Sequence, residues 1–481
     1  DWCFMKKIVL CILTLILAVG GAAGCTPQNK PEESLPNTAE PTASENQVQQ
    51  EPSPSGQEPF SELILPDIEI PQSFESKSEE IEFMFEYYMQ AVPSITWLPD
   101  YDPIGYPGIK ALYYDGLKNN GVQTKIFAYM GFPEGASAEN PVPAVVLLHG
   151  GGGFAFPQWV KVWNDRGYAA IAMCNTGYRP KDGNITSFYD SNDWTKVIPA
   201  QERREDERIL IPDNDGMSSY NRDISCQWMY HAVGSAIMAN NLLRADERVD
   251  SDKIGITGIS WGGVITSIAM GYDTRFAFNI PIYGHAHLGE SLTWMKNHFT
   301  PGAVELWDAT KRLDKVTSPI LWLCWAGDNA FSINTNSASY MDTMDKSIFS
   351  MRMEMGHSHD LGWIPYESYR FADHIIKGGL PMTTVKEHPS AKAGRDVSMS
   401  VDIPEDTNSI SAVCYYIDAP LSYGADSNME QQWQKCECSV DVQTGMITAQ
   451  LPDEARGYYV EITSVCPEGS YVTSSEFVTI E

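Results

Sequence analysis

The sequence predicts an α/β protein, a mostly parallel sheet flanked by helices and followed by a small C-terminal β-sandwich, on three observations. From about Phe60 to Pro381 short β-rich runs alternate with longer amphipathic segments, as in a sheet covered by helices. One run passes through Gly258-Ile259-Ser260-Trp261-Gly262 directly into a helix-compatible segment. From about Met382 onward the longer segments disappear and alternating, β-branched stretches take over, the pattern of half-buried antiparallel strands.

The strand candidates of the first part are Pro143 to His149, Tyr168 to Cys174, Lys253 to Ile259, Phe276 to Tyr283, Pro319 to Trp325 and Ser347 to Met355. They are mostly apolar runs, several closed by Gly or Asn, and they suit strands buried on both faces. The clearest helix between them is Ser225 to Leu243. Two connections, Asn175 to Asp223 and Gly284 to Val316, are long for a compact domain and are expected to build a substrate pocket. In the last part the strand candidates are Asp396 to Ile403, Ser411 to Ile417, Met446 to Leu451 and Gly457 to Ser464. No internal repeat of solenoid or propeller period is present.

With 481 residues, 43% hydrophobic and 20% charged, the chain can fill a large core and a second, smaller one. Its net charge of -30 and lack of any Lys/Arg-rich run exclude a nucleic-acid partner, which needs a concentrated positive patch. Read from Met5, residues 1–24 have the form of a secretory leader: Lys6 and Lys7, an apolar run from Ile8 to Val19, then Gly21-Ala22-Ala23-Gly24 ahead of Cys25. Small residues directly before a Cys resemble a bacterial lipobox, which implies Cys25 as a lipidated N-terminus and an extracytoplasmic, membrane-anchored chain; an ordinary cleaved leader is the alternative. Residues 25–60 are rich in Pro, Glu, Ser, Gln and Asn and poor in large apolar residues, so they are expected to form a disordered tether. The catalytic domain is then expected at 61–381 and the β-sandwich at 382–481. Among the ten cysteines, Cys174, Cys226 and Cys324 fall in apolar segments that read as core. Cys414, Cys436, Cys438 and Cys466 cluster late in an exported chain and allow three disulfide pairings.

The chemistry is concentrated in four short stretches. G-x-S-x-G is weak alone, but here it joins a strand to a helix, the context of a nucleophile elbow. The flanking glycines let the backbone turn sharply enough to present Ser260 at the carboxyl edge of the sheet, with the N–H of Trp261 aimed at a developing oxyanion. His149-Gly150-Gly151-Gly152-Gly153 follows the first apolar strand, where a loop of backbone amides supplies a second oxyanion donor. Asp328 follows the strand Pro319 to Trp325, and His357 or His359 follows Ser347 to Met355, so an acid and a base stand in the required chain order.

These stretches resemble the prolyl-oligopeptidase-like, dienelactone hydrolase-related branch of the α/β-hydrolases, in particular acetyl xylan esterases and related carbohydrate deacetylases. The resemblance spans roughly Phe83 to Lys377. It is carried by HGGGG with FAFPQWVKVWNDRGYAAIAM after it, by QWMYHAV, by VDSDKIGITGISWGG, and by GDNAFSINTNSASY ahead of GHSH. It implies the α/β-hydrolase fold, ester hydrolysis without a cofactor or metal, the triad Ser260, Asp328 and His357, and oxyanion donors at Gly151 and Trp261. The implied partner is an acylated small molecule or carbohydrate. The chain departs from its relatives at Ala326-Gly327-Asp328-Asn329, where they read closer to G-T-N-D. The C-terminal β-domain resembles one appended to some of these esterases.

Competing readings can be set out on the same residues. A phosphate loop at Gly150–Gly153 lacks the GK[ST] that such a loop needs. His285, His287, His357 and His359 all follow strands and would gather at one sheet edge if they bound a metal, but that would leave the elbow and the glycine loop without a role. His231 reads as a packed structural residue. Trp159, Trp163, Trp228 and Trp294 read as core, with a sugar site as the alternative. A serine peptidase of the same superfamily, or a non-catalytic surface-binding lipoprotein, are the functional alternatives to an esterase.

Overall fold

The apolar runs of the first part become the centre of a nine-stranded sheet. The computed structural model describes residues 62–151, 153–184, 197–198, 211–391 and 395–480. The leader, Cys25, the expected tether and Gly152 lie outside these residues, as does most of the connection between Asn184 and Ile211. Residues 57–481 group as one compact unit, within which all that follows lies. No helix among the described residues is long and apolar enough to cross a membrane.

The strands are β1 (Ile95–Trp97), β2 (Lys110–Asn119), β3 (Val122–Gly131), β4 (Val142–Leu148), β5 (Ala169–Met173), a two-residue ladder of β6 (Arg179–Pro180) with β7 (Val197–Ile198), β8 (Val249–Ile259), β9 (Asn279–Ile282), β10 (Ile320–Trp325) and β11 (Ser347–Arg352). Their order in the large sheet is β1-β2-β3-β5-β4-β8-β9-β10-β11. From β5 to β11 every pairing is parallel, and β1, β2 and β3 add an antiparallel edge. The parallel strands are those expected from the sequence. Ala144 to Leu148 and all of β5 are buried, as strands covered on both faces must be.

This is the α/β-hydrolase fold. Strand order reverses around β4, which lies between β5 and β8, and a crevice opens beyond the carboxyl ends of strands at such a reversal. Leu148 is the register partner of Gly258. The glycine loop after β4 and the serine turn after β8 therefore leave the sheet side by side. Helix Trp228–Ala245, almost wholly buried, packs on β8 and on the helix Trp261–Tyr272. Helices Pro157–Asn164 and Tyr366–Lys377 meet through Trp163 and Tyr369, ring centroids 5.0 Å apart. Trp159, Trp163 and Trp228 are core, 0–2% exposed, whereas Trp294 leaves 42% of its surface exposed. Cys174 and Cys324 are buried, but Cys226 is only half-buried, in a 3-10 turn where its thiol donates to Asn120 Oδ1.

The C-terminal part forms two antiparallel sheets. One contains β12 (Thr384–Ala391), β13 (Asp396–Asp402), β17 (Met446–Gln450) and β16 (Ser439–Asp441). The other contains β15 (Gln434–Glu437), β14 (Ser409–Ile417), β18 (Gly457–Cys466) and β19 (Gly469–Ser474), with β20 (Val478–Thr479) on β18. Val397, Met399, Val401, Cys414, Ile447 and Val460 belong to the small core of this part. Alternation along β18 sends Tyr458 and Val460 into that core and Tyr459 into the large one. Cys414 and Cys436 are Cα partners across β14 and β15, and all described cysteines are free thiols.

This sandwich covers the edge strand β11, whose unpaired backbone donors would otherwise stay open to pairing. Ser474 Oγ accepts from the N–H of Met351 at 2.9 Å, and Glu461 accepts from that of Met353 at 2.6 Å. Buried Glu367 joins both sides, accepting from the N–H of Val472 at 2.7 Å and from Arg352. Burial raises the Glu367 carboxyl, and the Arg352 charge opposes that.

Candidate active site

Ser260 sits between β8 and the helix Trp261–Tyr272 with φ 58° and ψ -118°, a left-handed conformation costing a non-glycine residue about 1–3 kcal/mol. The turn is tight enough that glycine is required on both sides. A Cβ at Gly258 would lie 2.1 Å from the carbonyl oxygen of Gly262, and one at Gly262 would lie 2.1 Å from that of Leu148. Trp261 is the first helical residue, so its N–H has no acceptor within the helix.

The glycine loop meets this turn directly. A Cβ at Gly150 would lie 3.0 Å from Ser260 Cβ, and Gly151 rests against the indole of Trp261. The N–H of Gly153 donates to Gly150 O at 2.9 Å, and that of Gly150 donates to His359 Nε2 at 2.9 Å. The N–H of Gly151 has no acceptor among the described residues. His149 fixes the loop from below. Its Nδ1–H donates to Gly150 O at 2.7 Å, its Nε2 accepts from the N–H of Asn175 at 3.0 Å, and its carbonyl accepts from Asn175 Nδ2 at 2.8 Å. Trp228 Nε1 donates to Asn175 O at 2.7 Å.

Asp328 and His357 are brought together. Asp328, 2% exposed, accepts from the N–H groups of Ala330 and Phe331 through Oδ1, at 2.8 and 3.1 Å. Its Oδ2 lies 2.7 Å from His357 Nδ1, leaving His357 Nε2 for a reacting group. The imidazole lies beside two rings: Tyr283 stacks on it at 4.5 Å and 20°, and Phe331 lies parallel at 6.0 Å and 3°. Tyr283 Oη donates to Gly356 O at 2.6 Å. The N–H of Ser260 donates to Ile282 O at 2.8 Å, so the residue before Tyr283 holds the serine turn while Tyr283 holds the histidine.

The second histidine of Gly356-His357-Ser358-His359 does something else. A helix starts at His359, capped by Ser358, whose Oγ accepts from the N–H of Leu361, and this turns the two rings apart. His359 packs on Phe156 at 4.8 Å and accepts from Gly150 N–H. Burial, with the positive forms of His149 and His357 nearby, pushes its pKa down to about 3, so it is a neutral acceptor.

The other histidines do not assemble. His285 is buried with Nδ1 on Ala286 O, His287 Nε2 pairs with Asp342 at 2.8 Å, and His231 bonds Ser225 O in the 3-10 turn before its helix. Among the described residues no group of three or more His, Cys, Asp or Glu is placed to hold a metal.

Burial pushes His149, His231 and His285 down to about 4, as it pushes His359 to about 3, and this has a consequence for stability. An unfolded histidine takes a proton below about pH 6.5, while these four stay neutral in the fold. The unfolded chain therefore binds more protons as pH falls from about 6.5 to 4. Stability is complete above that window and is lost through it, at up to ~1.4 kcal/mol per pH unit for each group. The raised carboxyls of Glu367 and Glu461 act in the opposite sense. Urea titrations should show a midpoint that falls between about pH 6.5 and pH 4.5; an unchanged midpoint would contradict the neutral buried histidines.

Sequence reasoning missed Tyr283 and Phe331, whose aromatic character read only as strand or core, and missed the anchoring of the glycine loop by His359 and Asn175. No family model matches the chain, and no curated protein matches it. Among solved structures it is similar to an acetyl xylan esterase from Paenibacillus sp. R4, at 18% identity and TM-score 0.45, over 60% of this chain and 92% of that one. Acetyl xylan esterase 1 from Thermoanaerobacterium sp. JW/SL YS485 is similar over 58% and 89%, at 13% identity and TM-score 0.43. The acylaminoacyl peptidase of Pyrococcus horikoshii is similar over 56% and 42%, at 15% identity and TM-score 0.40.

Proposed function

We propose that the chain is an exported serine carboxylic-ester hydrolase that removes acetyl groups from carbohydrate through an acyl-enzyme. The observation that carries this reading is the Asp328–His357 pair, 2.7 Å apart, its carboxylate buried and its imidazole half-buried, in a chain that also holds a serine in a strained elbow after β8. Ser260 Oγ attacks the ester carbonyl carbon while His357 Nε2 takes its proton, and Asp328 holds the imidazole in the tautomer that leaves Nε2 free. The N–H groups of Trp261 and Gly151 receive the oxyanion. His357 then protonates the departing alcohol, and a water, deprotonated by the same nitrogen, releases the carboxylic acid and restores Ser260. His359 sets the first peptide of the glycine loop without exchanging protons in the reaction. The carbohydrate part rests on the resemblance of the HGGGG, GISWGG and GHSH stretches to acetyl xylan esterases. Export and anchoring rest on the leader-like residues before Cys25.

The test is a substrate panel on the purified chain: acetylated xylo-oligosaccharide, 4-nitrophenyl acetate and acetylated peptides, with acetate followed by proton NMR. Acetate release from the oligosaccharide and the aryl ester is expected. Cleavage of peptide bonds with no acetate released would replace this reading by the peptidase one.

A further inference from the structure

Trp294 lies in the long connection after β9, and its exposed ring is held rather than loose. Its neighbours Thr293 and Met295 are buried, and its N–H donates to Ser427 Oγ at 2.9 Å. Ser427 belongs to the sandwich, in the loop between β14 and β15, where φ is 60° and its own N–H donates to Gly424 O at 2.8 Å. In the same loop Tyr423 Oη accepts from the N–H of Ile333 at 3.1 Å, just past the acid loop. The sandwich thus rests one loop on both the long connection and the segment that follows Asp328.

From Trp294 a series of edge-to-face rings leads to the elbow. Trp294 meets His298 at 5.7 Å and 77°, and His298 meets Trp261 at 5.2 Å and 82°. Gly216 lies against His298, where a Cβ would be 2.2 Å from Nδ1. Next to it Asp215 carries an Oδ1 that is buried and has no hydrogen-bond partner among the described residues. A buried carboxylate oxygen without a donor is costly, and a hydroxyl donor brought to it would relieve that cost.

We propose that Trp294, His298 and Asp215 form a subsite for one pyranose ring of a neutral acetylated glycan, buttressed by the Ser427 loop of the sandwich. This rests on the ester-hydrolase reading and names its alcohol side. A pyranose presents an apolar C–H face suited to an exposed indole, and hydroxyl donors at its rim suited to the Asp215 oxygen. An acyl chain has no donor for that carboxylate. An anionic sugar would meet both Asp215 and a chain of net charge -30.

The subsite is tested first by binding, on the full chain carrying Ser260→Ala so that no turnover intervenes. Calorimetric titration with acetylated xylo-oligosaccharide should give binding that weakens at least tenfold on adding Trp294→Ala and several-fold with Asp215→Asn, while Trp294→Tyr retains most of it. Equal binding in the Trp294→Ala protein, with an unchanged circular dichroism spectrum, or no binding in either protein, would overturn the subsite. In the otherwise unchanged enzyme, Trp294→Ala should lower kcat/KM for the oligosaccharide relative to 4-nitrophenyl acetate at least tenfold, mainly through KM; an unchanged ratio would overturn it too. Loss of the hydrolase reading would register separately, as an aryl-ester rate that Ser260→Ala does not alter.

Discussion

Replacing Ser260 by alanine is expected to lower kcat for 4-nitrophenyl acetate by about 10⁵–10⁶-fold, the scale on which removal of a triad nucleophile acts. The oxyanion donors and the site's shape remain, so a residual rate above that of water is expected. Alanine meets the same left-handed backbone at position 260 as serine does, and it removes only the hydroxyl. Thermal unfolding should therefore shift little, and loss of rate with an unchanged melting temperature separates chemistry from folding. A variant that keeps more than about a tenth of the rate would place the nucleophile elsewhere.

The second large effect distinguishes the two histidines. His357→Ala should cost about as much as Ser260→Ala, and the double variant little more, because groups that act as one unit are far from additive. His359→Ala should behave differently. It leaves the base in place but removes the acceptor for Gly150 N–H and a ring packed on Phe156. Displacement of the oxyanion loop then lowers kcat by roughly 10²–10³-fold, with a loss of stability of about 1–3 kcal/mol from the lost packing and hydrogen bond of this half-buried ring. His359→Gln, which can offer an oxygen to Gly150 N–H, should recover part of the rate. Steady-state kinetics on all three variants, alongside urea unfolding, checks this; a larger loss in His359→Ala than in His357→Ala would reverse the assignment.

The six parallel strands were legible because a strand buried on both faces must be an almost unbroken apolar run, as in β4 and β5. The antiparallel hairpin β2–β3 was not, since Lys110–Asn119 and Val122–Gly131 mix charged and aromatic residues. Its one clear signal is Asn120-Gly121, where φ of 49° and 81° makes the tight turn. The elbow was legible because steric exclusion writes glycine at 258 and 262. The acid loop departs from the sequence that the resemblance leads one to expect, yet the carboxylate of Asp328, held by the N–H groups of Ala330 and Phe331, reaches His357. His357 and His359 were inseparable by chain order alone. What parts them is the helix that begins at His359, capped by Ser358. Trp294 carried no local mark to set it apart from Trp159, Trp163 and Trp228, and its backbone is tied to Ser427, more than a hundred residues away.

The central claim is that Ser260 is an activated nucleophile beside an oxyanion hole, and covalent labelling with a fluorophosphonate probe tests it most directly. Only a serine with a working base and oxyanion donors reacts quickly with such a reagent. Stoichiometric labelling of the folded chain, mapped by peptide mass to Ser260 and absent from Ser260→Ala, is the predicted result. No labelling of a demonstrably folded chain, or labelling at another residue, would contradict the account.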